Sequence, residues 1–415
     1  MPAFGDLLRV DELFAMIRVK SQFSNIKVNL RDDQEDLKFC YDILTHVSRS
    51  FAAVIIQLND ELRDAVCLFY LVLRGLDTVE DDMSIPVATK DEILPKFHEK
   101  LQLPDWHIDG IGKGKERTLL EEFFRVSREC QKLKPAYMEV ISDICHKMAL
   151  GMCHFLKNEV VTKADYDMYC HYVAGLVGHG LTRLFASSGL EDPGIAKDLR
   201  IANSMGLFLQ KANIIRDYYE DIVEEPPRMF WPKEIWGHYG EKLADFKPKE
   251  NKQKAVECLN AMVADALQHV PDCVDYMATL KERSVILFCA IPQIMAIATL
   301  VELYDNPVVF QDKVKIRKGL ACKIILNCGD LESVLTQFRG HCDILTSKLR
   351  VEDPSYDAIK RYIAIGRKRM DEVARERQLA LEPSFARSFL TKYPALGGQV
   401  LYNIVDSVGG LFRHE

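Results

Sequence analysis

The sequence predicts an all-α fold, a single large helical domain around a central cavity. Three observations carry this. Apolar residues recur at helical spacing through most of the 415 residues. No stretch sustains the period-two alternation, bounded by turn residues, that a sheet needs. Two apolar segments, 65–81 and 203–221, end alike in Asp-x-x-x-Asp with an arginine just upstream.

Residues 1–36 are mixed and charged and read as a peripheral helix and a loop. Helical patterning starts at Leu37, breaks at Ser48-Arg-Ser50 and resumes over 51–58. Asp60-Glu-Leu-Arg63 gives the next helix a capping-like start, and nothing interrupts it before Pro86. The region 83–118 carries Pro86, Pro95, Pro104 and the loop Asp109-Gly-Ile-Gly-Lys-Gly-Lys115. That loop follows no strand, so it is not a dinucleotide-binding turn. A mobile basic lid and a plain surface loop fit it equally.

Helices continue over 119–156 and 166–186. Gly175 and Gly178 each cost a helix about 1 kcal/mol relative to Ala, a cost that close approach of a helix or ligand would explain. The helix 203–221 follows, ended by Pro-Pro-Arg-Met-Phe-Trp-Pro232. Further helices span 250–268, 272–304 with a kink at Pro292, and 314–350. No linker or composition shift divides 37–350. Residues 351–415 read as an appended tail: a basic stretch over 361–377, then an apolar run over 385–412.

Net charge is -7, so no global basic field argues for nucleic acid. Twelve cysteines contain no Cys-x-x-Cys pair, and the N-terminus has no secretory apolar core. The folded part reads as one that sits in a reducing compartment.

The acids carry the chemistry. Asp77 and Asp81 lie one helical turn apart, about 6 Å, with Glu80 beside them and Tyr70 and Arg74 on the same stripe. Gln210, Asn213, Asp217 and Asp221 line one face of the second helix, flanked by Arg216 and Glu220. One such pair reads most simply as a solvated helix end. Two, each on an apolar helix facing the core, would bury unpaired charge at several kcal/mol per ion. Facing each other across a cavity and holding Mg²⁺ resolves this, because Mg²⁺ completes its shell with substrate phosphates. It would also neutralise a leaving diphosphate and promote C–O ionisation. Apolar walls below make the whole a prenyl-diphosphate pocket.

The chain resembles the squalene/phytoene synthase family. The resemblance runs over about 37–325 and rests on Ser48-Arg-Ser-Phe-Ala-Ala53, Phe69-Tyr-Leu-Val-Leu-Arg-Gly-Leu-Asp-Thr-Val-Glu-Asp-Asp82, Tyr169-Cys-His-Tyr-Val-Ala-Gly-Leu-Val-Gly178 and Leu207-Phe-Leu-Gln-Lys-Ala-Asn-Ile-Ile-Arg-Asp217. The first acidic motifs fit phytoene synthases equally. Phe288-Cys-Ala-Ile-Pro-Gln-Ile-Met-Ala-Ile-Ala298 and Val314-Lys-Ile-Arg-Lys-Gly319 lean toward the squalene-forming, farnesyl-diphosphate farnesyltransferase branch.

The resemblance implies an isoprenoid-synthase-type domain over 37–350 and a two-step reaction. Two farnesyl diphosphates condense head to head to presqualene diphosphate, which is then rearranged and reduced by NADPH to squalene. It implies metal binding by Asp77, Glu80, Asp81, Asp217 and Asp221. Tyr169 matches the tyrosine that removes a proton in the first step, which asks for a phenol pKa lowered by nearby cations. Arg49, Arg74, Arg216, Lys315 and Arg317 match positions contacting NADPH or diphosphate, and Arg228 joins them. Phe51, Tyr70, Leu209, Gln210, Asn213, Phe288, Cys289 and Pro292 are expected on the substrate cavity, and His171 and His179 as structural.

The family's eukaryotic members end in a membrane anchor. Here Asp406 interrupts the best window, and 393–405 is shorter than the roughly 20 residues that span a bilayer. The expectation is a monomer at the endoplasmic reticulum membrane, its catalytic domain facing the cytosol, held by a shallow tail assisted by the basic stretch on anionic lipid. A calcium module fails the glycine-centred loop pattern, and neither it nor an inert scaffold would release diphosphate from farnesyl diphosphate.

Overall fold

The computed structural model describes residues 10–24, 28, 30–31, 33–225, 227–247 and 249–381. Every ordered element among them is helical. The N-terminal half contains α1 (Val10–Ser24), α2 (Glu35–Val47), α3 (Arg49–Ile55), α4 (Asp60–Asp81), α5 (Val87–Ile93), α6 (Gly114–Glu121), α7 (Phe123–Cys130), α8 (Pro135–Phe155), α9 (Lys163–Cys170) and α10 (Leu176–Ser188). There follow α11 (Arg200–Arg216), α12 (Tyr218–Val223), α13 (Lys252–Leu267), α14 (Val270–Thr279), α15 (Arg283–Leu303), α16 (Lys318–Asn327), α17 (Leu331–Lys348) and α18 (Tyr356–Glu376).

α11 is the axis of the molecule, packed by α10, α13, α14 and α15. α4 lies against α8 and α10 on the other side of the core. Its start is fixed by Asn59, whose side chain accepts from the Glu61 N–H, one residue earlier than the sequence suggested. The expected helix over 119–156 is three pieces, because Glu122 leaves helical geometry and Pro135 opens α8 as a first-turn proline.

Between α9 and α10 the chain takes one π-helical turn over His171–Gly175. The glycines there allow α11 to approach closely. A Cβ on Gly178 would stand 2.3 Å from the Ala202 carbonyl oxygen. One on Gly206 would stand 2.3 Å from that of Ala174. Both meet backbone, which cannot rotate away, so these two positions admit no side chain.

α15 is apolar all round and contains Pro292. It is long and apolar enough to cross a membrane, yet 78% of its most apolar window is buried inside the protein, so it is the core helix. Gln293, Ile294, Ile297 and Leu300 pack at its centre.

The described helical body extends past residue 350. α18 packs on α13, α14 and α17 and buries Ile359, Ile363, Met370 and Val373. Two of its basic residues are tied to the body, Arg367 to Asp343 and Arg369 to Asp275, and Arg377 just past its end donates to the Ala278 carbonyl at 2.7 Å. Part of the stretch 361–377 is therefore a helix face that packs on the body. The apolar stretch at 385–412 lies outside the described residues.

A direct consequence concerns truncation. Ending the chain after Leu381 should leave a folded, active protein. Ending it after Arg350 strips α18 from three helices and should give insoluble or inactive material. Soluble expression and thermal melting of the two truncations check this.

Candidate active site

α4 and α11 both run along one cavity and both finish in acids. Cavity residues on α4 extend from Val66 to Asp77 and on α11 from Ala202 to Asn213, about 16 Å of helix each. Glu80 and Asp81 lie in the last turn of α4 and Asp217 caps the end of α11, where the macrodipole is already negative, whereas Asp221 lies in the first turn of α12. α4 has no basic residue in its last turn to offset this.

The electrostatics record the strain. Burial lifts Asp77 to about 7, against the pull of Arg74, with Asp81 and Glu116 adding to the rise. Glu80 is lifted to about 8 by burial and by Asp81. On the second stripe, burial and then Asp217 lift Asp221 to about 7. Buried carboxylates this reluctant to ionise mark a place that wants cations.

The second stripe is not one continuous helix. Asp217 takes φ -89°, ψ 7° and divides α11 from α12. The Asp221 N–H still reaches the Asp217 carbonyl at 2.9 Å, so both aspartates stay on one edge. Arg216 folds back onto Asp217 with two bonds of 2.7 Å. Glu220 pairs with Lys313.

Arg228 joins the two stripes. Its backbone N–H donates to the Asp221 carbonyl at 3.0 Å. Its guanidinium donates to Asp81 and, at 3.3 Å, to Glu80. One arginine therefore spans from α12 to the end of α4. Lys90 of α5 lies behind, fully buried, donating to the Glu80 carbonyl.

Below the acids lies a cavity of about 290 Å³. The expected Phe51, Tyr70, Arg74, Asp77, Leu209, Gln210, Asn213, Phe288, Cys289 and Pro292 all line it. Arg74 donates to the Tyr70 hydroxyl at 2.9 Å and faces Glu116 at 3.6 Å. Phe51 lies 5.6 Å from the Tyr70 ring and is 37% exposed, so it stands at an opening.

Tyr169 sits beside this acid end, stacked on Phe230 at 4.6 Å between ring centres, while Arg228 covers the Phe230 ring. Burial drives the pKa of the Tyr169 phenol well above the ordinary tyrosine value, Glu80 drives it further, and Arg228 opposes them.

Other expected residues fall elsewhere. Arg317 is held by Glu12 of α1 at 2.9 Å and by Glu302 at 3.5 Å, not by the acidic stripes. Lys315 is exposed, with its charge felt at Glu220. The Arg49 backbone opens α3, and its side chain lies outside the described residues. His179 lies beside His171, which meets Asn203 at 2.6 Å.

The loop over 109–115 is pinned to α4. The Gly112 N–H donates to Asp82 at 2.7 Å, and Arg117 donates to the Gly112 carbonyl at 3.0 Å. Gly112 has φ +81°, and a Cβ there would stand 2.4 Å from a Thr78 methyl. The sequence reading also missed Lys90, Glu116, Phe230, Tyr276 and Gln293. Gln293 lay inside a motif quoted for the family resemblance, and Phe230 inside the segment quoted only as a helix end.

Among the described residues, no three His, Cys, Asp or Glu side chains converge into a closed ligand cage. Two short carboxylate sets on opposite walls suit Mg²⁺, which binds one or two carboxylates and takes the rest of its shell from water and phosphate.

An all-α chamber with paired acids above an apolar cavity is the isoprenoid-synthase architecture. The squalene/phytoene synthase family profile matches residues 44–319, and the chain belongs to that family. It is similar to squalene synthase of Rattus norvegicus, 48% identical over 81% of this chain and 80% of that one. Squalene synthase 1 of Arabidopsis thaliana is 47% identical over 86% of both chains. The solved structure of TcSQS with the ligand E5700 superposes with a TM-score of 0.81 at 55% identity, covering 82% of this chain and 99% of that one.

Proposed function

We propose that the chain joins two farnesyl diphosphates head to head into presqualene diphosphate and converts this reductively to squalene. The observation that carries the reading is Arg228 bridging two acid stripes over an apolar cavity. A chain about half identical to squalene synthases is the context.

When bound, Mg²⁺ would neutralise the departing diphosphate and NADPH would supply the hydride. Asp77, Glu80 and Asp81 on one wall and Asp217 and Asp221 on the other would hold the metal. Arg228 and Arg74 would turn from carboxylates to phosphate oxygens, which guanidinium forks fit. Phe51, Tyr70, Leu209, Gln210, Asn213 and Phe288 would align the chains and exclude water from cationic intermediates. Arg216, Lys315 and Arg317, with Arg49, would serve the anionic groups of NADPH or diphosphate.

Tyr169 takes the proton of the first step. A high phenol pKa does not forbid this, because a carbocation surrenders a proton to very weak bases. Tyr169 Oη can accept that proton at a lone pair, in a site where Glu80 and Arg228 are its main charged neighbours.

The protein is read as a monomer at the endoplasmic reticulum surface, facing the cytosol. Since Arg367 and Arg369 serve the fold, the exposed Arg361 and Lys368 and the segment beyond Leu381 carry any membrane contact. Flotation of the full chain with anionic and neutral vesicles tests this.

The experiment for the reaction is product analysis of farnesyl diphosphate with and without NADPH. Squalene should form with it, and its yield should collapse without it. An identical, unreduced C30 or phytoene-type product under both conditions would contradict the reading.

A further inference from the structure

Residues 227–230 have no regular secondary structure, yet the segment is tied down on both sides of Phe230. The Arg228 N–H donates to the Asp221 carbonyl at 3.0 Å. Trp231 is buried, donates its indole N–H to the Ile214 carbonyl at 3.1 Å, and packs on Tyr218 at 5.1 Å between ring centres. Its own carbonyl accepts from the Trp236 indole at 3.0 Å. Phe230 is flanked by these anchors, so its backbone has little freedom.

The half-buried Phe230 ring touches two groups of the proposed chemistry. It stacks on Tyr169 at 4.6 Å, with 18° between the planes. The Arg228 guanidinium lies over it at 5.1 Å. A guanidinium set against an aromatic face keeps its in-plane N–H groups free at the edges, and here those groups reach Asp81 and Glu80. Phe155 also meets Tyr169, but edge-on, at 5.2 Å and 81°.

The two aromatic contacts constrain Tyr169 differently. An edge against the ring limits its sideways shift, whereas a parallel face sets its plane. The plane matters because the acceptor lone pair of a phenol turns with the ring. Proton transfer needs that oxygen within hydrogen-bond reach of the proton and correctly directed.

We infer that Phe230 is a positioning residue for the first half-reaction: its ring sets the plane of Tyr169 and so directs the oxygen that receives the proton. This rests on the proposed reaction and on Tyr169 as its proton acceptor. One farnesyl C–O bond breaks and its electron pair leaves with diphosphate. The resulting cation takes the double-bond electrons of the second chain, and a C–H bond beside the new centre then breaks. Its electron pair closes the cyclopropane ring, and its proton goes to Tyr169 Oη. Phe230 forms no bond. The second half-reaction removes no proton, so the inference predicts a loss confined to the first.

The test uses the full chain and Phe230→Leu, which keeps an apolar side chain and removes the flat face. Single turnovers with Mg²⁺ start from farnesyl diphosphate in one set, and from presqualene diphosphate with NADPH in the other. We expect presqualene diphosphate formation to slow about ten- to a hundredfold, the scale of a misplaced reacting group, and its consumption to change far less. Phe230→Tyr, which restores a flat ring, should recover the first step. In a Tyr169→Phe background, Phe230→Leu should cost little more, because residues acting through one another are not additive. An unchanged first step, equal slowing of both steps, or an undiminished loss in the Tyr169→Phe background would each overturn the inference. If Phe230→Leu does not fold, Phe230→Met decides by the same comparison. Failure of the wild-type chain to release diphosphate from farnesyl diphosphate would refute the proposed reaction instead.

Discussion

Asp77→Asn is expected to cut diphosphate release from farnesyl diphosphate by about a thousandfold, the scale of losing a principal electrostatic contact in a site. Both half-reactions should fall, since both must ionise a C–O bond at the same acids. The fold should survive and even gain. Burial holds the Asp77 carboxyl at about 7, above its value in an unfolded chain. The folded state then keeps a proton that the unfolded state has lost, so stability declines as pH rises from about 4 and the cost is complete above about 7. Metal-free Asp77→Asn should therefore melt several degrees above metal-free wild type at pH 8, the gap closing toward pH 5. Melting curves at those two pH values, paired with a diphosphate assay, check both halves. Near-normal turnover would remove Asp77 from the metal site. A lower Tm at pH 8 would mean its charge is already compensated.

Tyr169→Phe is expected to slow presqualene diphosphate formation by about 10²- to 10⁴-fold, the range for losing a positioned proton acceptor. The ring stays stacked on Phe230, so the melting temperature should change little. Added presqualene diphosphate should still be consumed, because reduction needs no proton removed by this residue. Single-turnover kinetics with each substrate separate the steps. Equal slowing of both would recast Tyr169 as a wall of the cavity, and normal rates in both as core packing.

The acids were legible because their spacing is a helical stripe and their number exceeds what an apolar helix tolerates unpaired. Asp77, Asp81, Asp217 and Asp221 were found this way, as were Gln210 and Asn213 along the same face. The family resemblance added Tyr169 and Phe288, which as isolated residues look like ordinary core. Lys90, Glu116 and Phe230 escaped because nothing local marks them; each matters through a partner distant in sequence. Lys90 meets Glu80, Glu116 meets Arg74, and Phe230 meets Tyr169.

The same cause hid the structural part of 361–377. Six basic residues in a short stretch look like a surface field until Asp275 and Asp343 are seen to receive two of them. The π-turn at His171–Gly175 was equally hidden. Gly175 and Gly178 announced a close approach, but one extra residue in a helical turn leaves no periodic signature.

The central claim is that the two acid stripes form one site for a metal-bound diphosphate. Calorimetric binding of inorganic diphosphate, with and without Mg²⁺, tests it without needing turnover. The wild-type chain should bind diphosphate only when Mg²⁺ is present, and Asp77→Asn and Asp221→Asn should each lose that binding although they stand on different helices. Diphosphate binding that ignores Mg²⁺, or that survives in either variant, would contradict the claim.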